Sequence, residues 1–323
     1  MNITNTDTNT APLVSVIMSV HNGGKYLEEA IDSVLYQTYK NFEFIIANDA
    51  STDNTLDVLN KYKTQDSRIK IVNFTENKGL VGALNELLAH INGEFTARMD
   101  ADDVSLPNRF ACQVAEFIAN DDLVLLGTLF DYIDGSGLQF AKGRPPHNND
   151  ALQKYLMNEG NPFCHPSVMM RTRHVKALGG YRQIVNRYAQ DYDLFLRLSE
   201  LGTVANIPDV LMHYRIHEGQ ITVQKMLPQL RSAFVYQELA KDRRAGLPEN
   251  MDEAIRRADA RKKDLKHAVI KGASYWGGLM MRQGNRIAAR TLFWSALKAH
   301  PANYRVIRSY LSCFLPRRRS RFL

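Results

Sequence analysis

Paired cysteines are missing from this chain: Cys112, Cys164 and Cys313 are its only 3, far apart and in no CxxC spacing. That excludes a disulfide scaffold and a thiolate zinc site, and it fits a reducing, cytoplasmic compartment. Long apolar runs are missing too; the longest, such as Leu13–Val20, are strand-sized rather than membrane-spanning. Met1–Thr10 has neither a basic start nor an apolar stretch, so residues 1–11 read as a disordered leader and not as a secretory signal. Gly-rich phosphate loops are also absent. No GxGxxG follows the first apolar run and no GxxxxGK[ST] occurs, so neither a dinucleotide site nor a P-loop is supported.

What remains is ordinary globular composition: 323 residues, 45% hydrophobic and 23% charged. The net charge of +7 hides a division. Residues 225–323 carry 22 Lys and Arg against 7 Asp and Glu, or +15, which leaves 19 against 27, or −8, for residues 1–224. An acidic body joined to a basic tail indicates two regions with different partners, with the boundary near Met226–Pro228.

The first half alternates strand and helix patterns. Val14–Val20 is a continuous β-branched run that suits a strand covered on both faces. A helix over Lys25–Tyr39 follows, then a strand at Phe42–Ala47, a helix at Asn54–Lys63 and a strand at Ile69–Phe74. A helix at Gly79–Ile91, with Leu80 on its apolar face, leads to a strand at Glu94–Met99 that ends at Asp100. Such alternation predicts βαβ units and a mostly parallel sheet. A helix is expected from Pro107 with Phe110, Val114, Phe117 and Ile118 as its stripe. Strands are then expected at Leu123–Ile133 and Ser167–Arg171, and a helix at Asp191–Leu201. Beyond residue 225 the pattern is helical, with a pair at Leu265–Met281 and Arg286–Ala299 turning at Gly284.

In an open parallel sheet, ligands bind beyond the carboxyl ends of the strands. The residues there are polar and acidic: Ser19, His21 and Asn22; Asn48, Asp49, Ser51 and Asp53; Asn77, Lys78 and Gly79; Asp100, Asp102 and Asp103. Three carboxylates in one turn repel unless a cation sits among them, and Mg²⁺ characteristically takes one or two carboxylates plus substrate phosphates. The alternative is that Asp102 or Asp103 caps a helix or a turn.

These residues carry a family resemblance. Val14-Ser15-Val16-Ile17 through His21-Asn22, Asn48-Asp49-Ala50-Ser51-Thr52-Asp53, Asn77-Lys78-Gly79 and Asp100-Ala101-Asp102-Asp103 resemble the GT-A-fold family 2 inverting glycosyltransferases. Gln190-Asp191-Tyr192-Asp193-Leu194 and Tyr214-Arg215-Ile216-His217 resemble that family's acidic base motif and its later Tyr-Arg-x-His segment. The resemblance spans about residues 12–222 in order. It implies an α/β GT-A catalytic domain over 12–224, followed by a basic all-helical region over 225–323. It also implies a nucleotide-sugar donor, most readily UDP-linked, a Mn²⁺ or Mg²⁺ cofactor, and a glycan or lipid-linked acceptor in cell-surface polysaccharide synthesis.

Carried over by position, Ser19, His21, Asn22, Asp49, Ser51, Lys78 and Asp100 would bind the nucleotide-sugar. Asp102, Asp103 and His217 would hold the metal, and Asp191 would be the general base. Without the resemblance Asp191 would read as a helix cap, Lys78 as a solvated loop charge and His217 as a surface histidine. Arg98, Arg171 and Arg197 are candidate phosphate contacts, and His165 a candidate for the acceptor side. The sequence departs from the family at Gln190, where Glu is usual, and at Asn48, where Asp is frequent. The rival readings are a sugar-phosphate nucleotidyltransferase and a non-catalytic nucleotide-sugar-binding scaffold. For the tail, the Arg317–Arg321 cluster beside Phe314, Leu315, Phe322 and Leu323 suggests an anionic membrane surface at the inner face, while the helix pair suggests a homodimer. Nucleic acid is not expected, because no recognised binding motif accompanies the charge.

Overall fold

The structure is a computed structural model that describes residues 11–184, 188–217 and 225–315. The leader at 1–10 and the cluster at 316–323 therefore lie outside the described residues. The rest divides into two compact units, one of residues 11–133 and 142–215 and one of 134–141 and 216–315.

The first unit opens with three strand–helix repeats: β1 (Val14–Val20), α1 (Leu27–Leu35), β2 (Phe42–Asp49), α2 (Thr55–Gln65), β3 (Ile69–Phe74) and α3 (Gly79–Leu88). There follow β4 (Phe95–Met99), β5 (Val104–Ser105), α4 (Arg109–Ala119), β6 (Leu123–Ile133) and β7 (Gln139–Gly143), whose first three residues fall in the second unit. The unit closes with α5 (Asn149–Asn158), β8 (Met169–Arg171), α6 (Thr172–Ala177), α7 (Gln190–Leu198) and β9 (Thr203–Arg215). Among the described residues the sheet has nine strands, eight of them in the order β3-β2-β1-β4-β8-β6-β9-β5. Pairing is parallel from β3 through β2 and β1 to β4, and antiparallel on both sides of β8. The expected mostly parallel sheet is therefore present, and its parallel half brings the ends of β1, β2, β3 and β4 to one edge.

Burial explains why these segments are strands. Val14, Val16, Ile17 and Met18 are all fully buried, with side chains directed to both faces of the sheet. A strand so placed needs apolar residues in succession rather than in alternation. Phe44, Phe95, Phe110 and Phe117 fill the same core, and Phe95 stacks on Phe117 with ring centres 4.7 Å apart. Each such ring contributes about 2 kcal/mol through burial.

Two expectations fail at α4. The helix begins at Arg109, not at Pro107, because the Pro107 carbonyl accepts the Thr38 N–H (2.8 Å) and the Leu106 carbonyl accepts Gln37 Nε2 (2.8 Å). Ile118 is 63% exposed and does not join the stripe; Leu80 on α3, at 41%, is likewise outside the core.

The second unit is helical: α8 (Met226–Arg244), α9 (Met251–Ala260), α10 (Lys262–Gln283), α11 (Arg286–Ala299) and α12 (Tyr304–Ser312). Gly284 ends α10 at φ +91, a left-handed conformation that glycine adopts without strain, and α11 packs back on α10 as the pattern predicted. Among the described residues no helix is long and apolar enough to cross a membrane.

Candidate active site

The ends of β1 and β2 are laced together. His21 Nδ1 lies 2.7 Å from the Asp49 carbonyl oxygen, and the Asn22 N–H donates to Ser51 Oγ at 3.0 Å. Asn22 Oδ1 in turn accepts the Thr52 N–H at 2.8 Å. Ser19, next to last in β1, is half-buried beside Ala47 of β2. Thus Ser19, His21, Asn22, Asp49 and Ser51 do converge. Asp49 is buried at 2% exposure, and its Oδ1 accepts the Lys78 N–H at 2.7 Å, so the carboxylate braces the turn from β3 into α3. The Lys78 ammonium is directed to Glu86 (2.9 Å) and to the face of Phe74 (4.3 Å); its tie to Asp49 is through the main chain.

Asp100 follows β4 and is ion-paired with the fully buried Arg98. Arg98 thus sits beneath the acidic turn rather than open to a ligand. Asp103 is also buried: Oδ1 accepts the Arg215 N–H at 2.7 Å, while Oδ2 is enclosed without a hydrogen-bond partner. Arg215 Nε donates to the Asp102 carbonyl at 2.8 Å, and its guanidinium reaches Glu29 at 2.6 Å and stacks 4.5 Å above the Tyr26 ring. Burial, opposed by Arg98 and reinforced by Asp102, raises the proton affinity of the Asp100 carboxyl. Burial together with the Asp102 and Asp100 charges raises that of Asp103 well above the usual range.

Asp191 lies in the first turn of α7, but the cap position is Ala189, in a left-handed conformation at φ +57. Asp191 Oδ2 accepts Asn161 Nδ2 at 2.8 Å. Desolvation lifts its pKa to about 6; the nearby Asp100 charge also raises it, whereas the Tyr192 N–H and Asn161 oppose the rise. Asp191 and Asp100 therefore interact electrostatically although they are far apart in sequence. Beside them His165 Nε2 and the Tyr181 hydroxyl form a 2.9 Å hydrogen bond, and burial followed by the Arg98 charge keeps the imidazole neutral.

The other arginine candidates are structural. Arg171 donates to the carbonyls of Leu123, Phe117 and Asn120, and Arg197 to Asp193 and the carbonyls of Leu178 and Gly180. His217 follows β9 by two residues and belongs to the second unit. Two residues carry no site signal in the sequence: Asn161, which stands in no motif, and Arg215, which reads only as part of the Tyr214–His217 segment. Non-glycine residues with positive φ, among those described, are Asn22, Ala50 and Ala189. Asn22 is itself a candidate site residue, Ala50 follows Asp49 and Ala189 precedes Asp191 by two, and backbone strain of about 1 kcal/mol or more is characteristically held at functional positions.

Among the described residues, no three His, Cys, Asp or Glu side chains form a group that would hold a metal unaided. The oxygen-only donors of the acidic turn, including the orphaned Asp103 Oδ2, do fit a hard divalent cation shared with a ligand's phosphates.

A mostly parallel sheet with this acidic crevice defines an α/β protein of the GT-A fold. Residues 15–179 match Glycosyl transferase family 2, and the chain belongs to that family: it is a glycosyltransferase. It is 39% identical over 196 residues to EpsE of Bacillus subtilis, covering 60% of this chain and 69% of that one. It is 37% identical over 232 residues to the O-antigen biosynthesis glycosyltransferase WbnJ of Escherichia coli, covering 71% and 86%. The fold is shared with the mannosyltransferase PcManGT of Pyrobaculum calidifontis, solved with GDP-Man and Mn²⁺, at 20% identity and a TM-score of 0.59 over 94% of this chain and 84% of that one. Family membership removes the nucleotidyltransferase reading.

Proposed function

We propose that the chain is an inverting, cation-dependent glycosyltransferase that moves a sugar from a UDP-linked donor to a hydroxyl of a glycan or lipid-linked acceptor. The place of this reaction is cell-surface polysaccharide synthesis. One observation carries the reading: the charge of Asp100, at the end of β4, acts on the Asp191 carboxyl far away in sequence, while Asn161 holds Asp191 by a hydrogen bond of its own. Inverting transfer needs carboxylates in two separate roles. The acceptor oxygen attacks the anomeric carbon as the bond to the nucleoside diphosphate breaks, and the hydroxyl proton passes to Asp191. Such base catalysis is worth ~10²–10⁴-fold. Asp102 and Asp103 would hold a divalent cation, which would supply charge neutralisation at the departing diphosphate. Asp49, Ser51, Asn22, His21 and Ser19 form the wall for the nucleoside, with Lys78 and Asp100 beside it.

The assignment to polysaccharide synthesis is supported by the relatives' names, WbnJ in O-antigen and AmsE of Erwinia amylovora in amylovoran biosynthesis. Of the solved structures that share the fold, TarS of S. aureus holds UDP-GlcNAc and PcManGT holds GDP-Man, so both support a nucleotide-sugar donor.

Calorimetric titration with UDP, with and without Mn²⁺, tests the reading together with transfer assays. Mn²⁺ tightens UDP binding in the parent chain, and Asp102→Ala removes that enhancement. Asp191→Asn keeps UDP binding and loses about 10²-fold or more in transfer. Normal transfer by Asp191→Asn would end its role as base, and absence of transfer in the parent chain with every donor tried would favour the non-catalytic scaffold.

A further inference from the structure

The second unit carries a surface that the transfer reaction does not use. After Asp264 the sequence contains no Asp or Glu, yet Lys and Arg recur along α10, α11 and α12. On α11, Ile287, Thr291, Trp294 and Lys298 follow one another at helical spacing along one exposed stripe. On α12, Tyr304, Arg308 and Leu311 do the same. The two stripes are joined: Trp294 and Tyr310 have ring centres 5.7 Å apart, and Tyr310 meets Phe314 at 5.4 Å. Ile287 is 73% exposed, Trp294 49%, Leu311 58% and Phe314 56%, so this is a wet apolar patch and not a core. Cations frame it: the Arg290 guanidinium lies 5.4 Å from the Phe314 ring centre and the Lys298 ammonium 6.0 Å from that of Trp294.

We infer that the α11–α12 face is a docking surface for an anionic lipid bilayer, with Trp294, Phe314 and Leu311 entering the headgroup layer and Arg290, Lys298 and Arg308 pairing with lipid phosphates. Charge selects the occupant. A second copy would oppose this acid-free face with its own cations, whereas anionic lipid complements it. Aromatic and aliphatic side chains interleaved with Arg and Lys match the layered polarity of a membrane interface, in which Trp sits at headgroup depth. The surface is independent of the donor and acceptor readings.

The test uses the full chain with vesicles of phosphatidylcholine alone or mixed with phosphatidylglycerol. Trp294 supplies the probe on a Trp276→Phe background, since Trp276 and Trp294 are the only tryptophans. Mixed vesicles should blue-shift its emission and shield it from an aqueous quencher, and the chain should co-sediment with them and be released by salt. Each cation at the surface strengthens binding about five-fold. Arg290→Gln with Lys298→Gln should therefore weaken co-sedimentation more than tenfold, as should Leu311→Ser with Phe314→Ser, while UDP binding and circular dichroism stay as in the parent. Equal binding to neutral vesicles would overturn the inference, as would undiminished binding by both pairs of variants. So would self-association or duplex binding lost in the same variants, without vesicle binding.

Discussion

At Asp191, burial and the Asp100 charge push the carboxyl toward its protonated form, while hydrogen bonds from the Tyr192 N–H and Asn161 pull it back. In the proposed role of base, the balance leaves Asp191 poised near neutral pH yet oriented. A base must be deprotonated to act, so kcat/KM should rise with pH through an acid limb near 6, where the pKa is lifted to about 6. Asn161→Ala deletes a hydrogen bond to the charged form, so its limb should move upward. A pH–rate profile over both enzymes checks this. A variant that lost rate uniformly, with the limb unmoved, would make Asn161 only a packing residue.

At the scale of elements, the acidic turn after β4 is held by the last residue of β9. Arg215 bonds the Asp102 carbonyl, offers its own N–H to Asp103 and packs on Tyr26. Arg215→Ala should lower stability by about 2 kcal/mol, through lost packing and charge-assisted hydrogen bonds, and weaken Mn²⁺-dependent UDP binding. Glu29→Ala removes only the half-exposed partner and should cost less than about 1 kcal/mol. Thermal melts and UDP titrations of both variants separate these outcomes. The strands beneath this turn were legible because buried parallel strands write themselves as apolar runs, as Val14–Val20 does. The acidic residues were legible because chemistry clusters at strand ends. Arg215 was not, since its partners lie on α1 and on the turn, far away in sequence and with no periodic signature. Ile118 is the opposite case: helical spacing puts it beside the stripe, yet its side chain stays exposed at the end of α4.

Over the whole molecule, carboxyl groups fall into two sets with opposite effects on stability. Hydrogen bonds from Arg68 hold Asp66 below its ordinary range, and those from Lys70, Ser15 and Asn92 do so for Glu43 against the effect of burial. Such groups contribute stability present above the unfolded value near 4 and lost as pH falls through their folded value. Asp100, Asp103 and Asp191 are raised instead, by burial first and by one another's charges. They bind protons more tightly folded than unfolded, so their contribution is present at low pH and drains away as pH rises from about 4 through their folded values. With chelator present, melting temperature should therefore peak in mildly acid buffer and decline toward neutrality. Asp191→Asn should gain on the parent as pH rises from about 4 to its lifted pKa of about 6, and the gain should level off above that. With the proposed cation on the deprotonated turn, Mn²⁺ should raise the melting temperature more at pH 8 than at pH 5, since protons compete for the same oxygens. The melting curve measured with and without Mn²⁺ at both pH values decides it. An equal rise at both, or a rise that survives Asp102→Ala, would place the cation elsewhere than on these carboxylates.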